Sequence, residues 1–189
     1  MKAIQVFCGS STGINPIYAQ VAAEVGTTLA ERDIELVYGA GSVGLMGIMA
    51  DAALAGGGKV TGVIPHFLRD MEVCHEGLTK LVLTDSMHDR KVEMLRLSDG
   101  AIALPGGFGT LDEIFEVITL VQLQQTFQPI GFLNTNGFYD HLMAHARKMH
   151  QEGFVRQMHL DMLIVADKLS DLLEKMKISA PITAKKWWK

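Results

Sequence analysis

A chain of 189 residues, 48% hydrophobic and 20% charged, has the size and composition of a domain that buries its own core. Its formal net charge of -4 leaves no basic surplus to neutralise a nucleic-acid backbone or an anionic membrane, so any phosphate is expected in a local pocket. Cys8 and Cys74 stand far apart without CxxC spacing, which speaks against a zinc site or disulfide framework and for a reducing cytoplasm, and the opening MKAIQVFCGSS is broken too soon for a signal peptide.

Short β-rich runs recur at Ala3 to Phe7, Glu35 to Tyr38, Val60 to Ile64, Leu81 to Leu83, Ala101 to Leu104, Pro129 to Leu133 and Met162 to Val165. Between most of them lie helix-length stretches: Ile14 to Glu31, Leu45 to Ala55, Met87 to Leu97, Leu111 to Gln124, Phe138 to Gln151 and, last, Lys168 to Lys177. This alternation predicts an α/β fold, a three-layer sandwich with a mainly parallel central sheet covered on both faces. No linker divides the chain, so residues 1–180 are expected to form one domain, followed by a tail at 181–189 in which basic residues flank Trp187 and Trp188.

Three strands run straight into glycine turns: Cys8-Gly9-Ser10-Ser11, Gly39-Ala40-Gly41-Ser42-Val43-Gly44 and Pro105-Gly106-Gly107-Phe108-Gly109-Thr110. In a parallel sheet these turns share the carboxyl edge, where following helices offer unpaired N–H groups and a positive dipole end to an anion such as phosphate. The second turn nominally matches GxGxxG, but the next strand runs into Pro65 and His66 rather than the acid a dinucleotide ribose needs. The third turn lacks the lysine of a Walker A loop; its glycines instead let the backbone approach an anion, or merely make a tight turn. No metal or other cofactor is expected: His141 and His145 have i, i+4 spacing without an HExxH sequence. The methionines, Met46, Met49, Met87 and Met94 among them, read as core fillers.

Past the third turn, Asp112, Glu113 and Glu116 occupy the first helical turns, where acids commonly serve the dipole; Glu113 sits where it can face a sugar attached to the bound phosphate. The preceding helix opens Ser86-Met87-His88-Asp89-Arg90-Lys91, with Ser86 and Asp89 approximating a capping box and Arg90 and Lys91 close enough to its start to reach the same edge, unless they are simply solvated.

PGGFGTLDE (Pro105 to Glu113), together with Met87-His88-Asp89-Arg90-Lys91, VFCGSS, YGAGSVGLMG, EVITLVQL and PIGFLNTNGFYDHL, resembles the Lonely guy family of cytokinin riboside 5'-monophosphate phosphoribohydrolases, often labelled lysine decarboxylases. The resemblance covers nearly the whole chain. It implies a Rossmann-like fold, a homodimer with the pocket near the subunit interface, no cofactor, and hydrolysis of a nucleoside 5'-monophosphate to free base and ribose 5-phosphate. Arg90 and Glu113 match the family's catalytic positions, and Glu72, Lys91, Gly107, Gly109, Thr110 and Thr119 match positions that contact the nucleotide. Gly106, Phe108, Leu111 and Asp112 from the same loop, and Ser10 and Gly41 from the other two, complete the expected substrate-binding set. Ala40 departs from the family's commoner YGGGS. Phosphate or sulfate is expected to fit the pocket, and nucleic acid and membrane are not expected partners. A nucleotide or cofactor carrier of the same fold and a broader nucleotide-salvage nucleosidase stand as alternatives, whereas pyridoxal-dependent decarboxylation finds no support in the sequence.

Overall fold

The computed structural model describes residues 1–69 and 74–180. Its strands are β1 (Ala3–Phe7), β2 (Glu35–Tyr38), β3 (Val60–Pro65), β4 (Lys80–Thr84), β5 (Ala101–Ala103), β6 (Ile130–Leu133) and β7 (Leu163–Ala166). The helices are α1 (Ile17–Glu31), α2 (Gly44–Ala55), α3 (His66–Arg69), α4 (Met87–Arg96), α5 (Phe108–Gln122), α6 (Asp140–Gln151), α7 (Gln157–Leu160) and α8 (Leu169–Ile178). The sheet order is β4-β3-β2-β1-β5-β6-β7, and every pairing between these strands is parallel.

The expected strands and long helices all form, and the boundary differences have local causes. Helix α1 begins at Ile17 rather than Ile14: Pro16 takes φ -61, and Asn15 accepts the Ile17 amide through Oδ1 at 3.1 Å. Helix α5 begins at Phe108 rather than Leu111, so the glycine turn runs into the helix itself. The short helices α3 and α7, four residues each, were not anticipated, because one turn is too brief to show a period.

Burial explains the three layers. Strands β1, β2, β5 and β6 are apolar apart from Gln5 and Glu35 and are buried along nearly their whole length, as a sheet covered on both faces requires. One face packs against Ala22, Val25 and Leu29 of α1, Leu45, Met49 and Ala53 of α2, and Leu169, Leu172 and Met176 of α8. The other takes Met94 of α4 and Ile114, Val117 and Val121 of α5, together with Tyr139, whose hydroxyl donates to the carbonyl oxygen of Leu104 at 2.5 Å.

Chain direction of travel reverses beside β1, which pairs with β2 on one side and β5 on the other. At such a point the loops leaving the two strands diverge to opposite faces and open a crevice at the carboxyl edge. The first and third glycine turns therefore meet, held by a hydrogen bond from the Gly9 amide to the Pro105 carbonyl at 3.1 Å. The second turn, after β2, lies beside this crevice rather than across it.

Candidate active site

The crevice is a cleft of about 330 Å³ lined by Cys8, Gly9, Ser10, Met46, Leu68, Met87, Arg90, Gly107, Phe108, Gly109, Thr110, Asp112 and Glu113. One wall is the start of α5. Gly107 is its N-cap, with no side-chain cap, and the first intrahelical bond is from the Leu111 amide to the Gly107 carbonyl at 3.2 Å. The amides from Gly107 to Thr110 thus have no acceptor within the helix, and they stand at its positive dipole end. A Cβ on Gly107 or Gly109 would meet nothing within 4 Å, so those positions keep the cleft open; one on Gly106 would strike Thr110 Oγ1 at 2.1 Å.

The opposite wall, α4, supplies the positive charge. Ser86 caps α4, its Oγ accepting the Asp89 amide at 3.1 Å, which sets the helix start so that Arg90 faces inward one turn later. Arg90 Nη2 lies 3.0 Å from Glu113 Oε1, with side-chain exposures of 9% and 10%. Its Nη1 approaches Met87 Sδ at 3.7 Å, and its Nε is buried with no hydrogen-bond partner among the described residues. A guanidinium and a carboxylate converge on the floor of a cleft whose rim is a row of amides without an acceptor in the helix. Chemically, the row can hold a phosphate, the carboxylate can stabilise nearby positive charge, and the guanidinium can orient a polar group without releasing a proton.

Cys8 lies on the same floor. Burial first, and then the charge of Glu113, push its thiol well above the ordinary range, so it is a packing group rather than a nucleophile. Met87, expected in the core, lines the cleft with Leu68 and with one side of Met46, which is otherwise buried in the core as expected, like Met49 and Met94.

Other expected site residues go elsewhere. Lys91 does not line the cleft itself but pairs with Asp112, which does, through Oδ2 at 3.1 Å, and with Glu116 in a short contact. Its partial burial opposes the charged form, but the hydrogen bonds it donates to Glu116 and Asp112, with the charges of those carboxylates, outweigh that and raise its pKa above the ordinary lysine value. Asp112 and Glu116 therefore have a partner beyond the helix dipole. Gly106 lies behind the turn, facing a neighbouring hollow lined by Ser11, Tyr18 and Phe138, and Leu111 packs against the core. Gly41 stands behind Met46: a Cβ there would meet Met46 Cε at 2.6 Å. Ala40, where the resembled family commonly has glycine, takes φ 63, and its carbonyl accepts the His75 amide at 2.9 Å.

Thr119 lies about 13 Å along α5 from Thr110 at the helical rise. It donates to the Phe115 carbonyl at 2.8 Å and lines a separate apolar cavity of about 190 Å³ with Phe132 and His159. Glu72 and the Trp187–Trp188 tail lie outside the described residues. The contributions of Met46 and Leu68 had no sequence signal, because a cleft-facing thioether or leucine carries the same pattern as a core one.

The described residues include no helix long and apolar enough to cross a membrane. The family model described as "Possible lysine decarboxylase" matches residues 46–176. The chain is 43% identical over 191 residues to the cytokinin riboside 5'-monophosphate phosphoribohydrolase LOG7 of Arabidopsis thaliana, covering 99% of this chain and 88% of that protein. To LOG1 of the same plant, of the same activity, it is 42% identical, covering 99% and 90%. Among solved structures the fold is shared with the molybdenum cofactor carrier protein of Chlamydomonas reinhardtii (TM-score 0.69, 18% identity, 93% and 94% of the two chains). It is also shared with the molybdenum cofactor binding protein of Rippkaea orientalis (TM-score 0.66, 20% identity, 93% and 94%). The latter two likenesses concern architecture alone, and the extent of the former places the chain in the Lonely guy family of cytokinin riboside 5'-monophosphate phosphoribohydrolases.

Proposed function

We propose that this protein hydrolyses the N-glycosidic bond of a nucleoside 5'-monophosphate, a cytokinin riboside 5'-monophosphate or adenosine monophosphate, releasing the free base and ribose 5-phosphate. The observation that carries this reading is the Arg90–Glu113 pair, 3.0 Å apart at the floor of a cleft that ends on the open start of α5. With the 5'-phosphate on the amides of Gly107 to Thr110, the attached ribose falls between that helix start and the pair. Departure of the base leaves positive charge on the sugar, which the Glu113 carboxylate stabilises while it orients the attacking water. Arg90 holds the nucleotide and Glu113 in register and hydrogen-bonds the departing base; its guanidinium stays charged and is no proton donor. The base lies against Met46, Leu68 and Met87, and phosphate or sulfate alone occupies the amide row.

Decarboxylation of lysine, which the matched model's description suggests, has no lysine among the described residues that line the cleft, and the named relatives are hydrolases. A carrier role is compatible with the fold, but a carrier has no use for a buried ion pair beside the phosphate turn. The reading extends to residues 1–180 acting as one nucleotide-binding domain in a cytoplasmic homodimer. Exposed Phe115 and Leu123 on α5 and the remoteness of Thr119 from its own cleft support a second copy that completes the site. Turnover of a panel of nucleoside monophosphates, with base and ribose 5-phosphate identified, tests the activity, and sedimentation tests the dimer. No release of ribose 5-phosphate from any member overturns the hydrolase reading.

A further inference from the structure

The residue after β2 faces the catalytic arginine rather than a ligand. A Cβ built on Gly39 would lie 2.0 Å from Arg90 Nη2, 3.0 Å from Cζ and 3.6 Å from Nε, and these are the nearest atoms it would meet. Gly39 is not among the residues in the left-handed region, so its backbone does not call for glycine; the guanidinium does. Nη2, the atom such a side chain would displace first, is the atom bonded to Glu113 at 3.0 Å. Among the described residues little else holds that nitrogen in place, since Nε has no hydrogen-bond partner there and Nη1 makes the long contact to Met87 Sδ.

We infer that Gly39 is a positioning residue: its missing side chain forms the shelf on which the Arg90 guanidinium lies flat to reach Glu113. The GAGSVG turn is then a spacer rather than a dinucleotide loop, with Gly41 admitting Met46 as Gly39 admits Arg90. This inference rests on the proposed role of Arg90, and it separates experimentally from that role. A methyl group at position 39 pushes aside the end of a flexible side chain, so Gly39→Ala folds, and the guanidinium tips away from Glu113.

The test compares Gly39→Ala, Arg90→Ala and the double variant on adenosine monophosphate, each with a thermal melt. Gly39→Ala is expected to lose about 30-fold or more in kcat with KM within about threefold, the mark of a misplaced group rather than a lost binding contact. In the Arg90→Ala background the same substitution should cost little further activity, and its lowering of Tm should disappear, because the atoms it strikes are gone. A Gly39→Ala that fails to fold while the double variant folds supports the same contact. Equal losses of activity or of Tm in both backgrounds, or near-normal kcat in Gly39→Ala, overturn the inference while leaving Arg90 in its role. Wild-type turnover in Arg90→Ala overturns both.

Discussion

Replacing Glu113 by glutamine keeps the side chain's shape and its place on the cleft floor while deleting its charge. For unit charges at the observed 3.0 Å, the gross attraction is about 5 kcal/mol at an effective dielectric constant of ~20. The stability lost is smaller, about 1–3 kcal/mol, because the amide oxygen still accepts from Arg90 Nη2 and the cleft admits water to the unpaired guanidinium. Catalysis suffers more. The deleted charge is the one facing the ribose as positive charge develops on it, so Glu113→Gln should lower kcat on adenosine monophosphate by about a hundredfold or more, roughly 3 kcal/mol of barrier. Chromatographic measurement of free base and ribose 5-phosphate, with melts on the same samples, gives both quantities. Turnover within about threefold of wild type in a variant that has lost its expected stability would refute the reasoning, since the pair would then be structural only.

The open glycines and the packed one should part company: Gly107→Ala and Gly109→Ala are expected to melt like wild type while KM for the monophosphate rises about tenfold or more, whereas Gly106→Ala should lose stability through its clash with Thr110. A melt that falls for Gly107→Ala would show that the amide row is not open space. The monophosphate should be hydrolysed at least about a hundredfold more efficiently than its nucleoside, the phosphate supplying binding energy realised at the sugar; equal kcat/KM for the two removes the role assigned to the start of α5. At the other end of the sheet, the backbone amides of Lys2 and Ala3 donate to Asp99 Oδ2 at 2.5 and 3.1 Å and, against the opposing effect of burial, lower its carboxyl pKa. A lowered folded-state pKa contributes stability that is present above the unfolded value near pH 4 and is lost as pH falls through the folded value. Asp99→Asn should therefore be less stable than wild type at neutral pH, and the two denaturation midpoints should converge below about pH 4; a constant gap across that range contradicts the linkage.

Individual residues show how far pattern reading reaches. Ser86 and Asp89 were recognisable as a cap because capping is local chemistry within four residues, and the structure forms it. Arg90 and Lys91 are neighbours in sequence that point about a quarter turn apart on α4, so one lies under the cleft and the other pairs with Asp112 and Glu116. Nothing in their order distinguishes them. Met87 and Met94 carry the same side chain on the same helix, and only packing puts the first against the cleft and the second in the core.

The residues by themselves determined the alternation of strand and helix, the parallel sheet, and the glycine turns collected at one edge, because periodicity, propensity and turn chemistry act over a few neighbours. Strand order was decided only in three dimensions: it is the pairing of β1 with both β2 and β5 that brings the first and third turns together and leaves the second as a shelf for side chains. The contact between Arg90 and Glu113 has the same origin. It joins two helices separated by a strand, and its geometry depends on how α4 and α5 settle on the sheet and on the absence of an atom at Gly39, a long-range steric fact that no local pattern encodes.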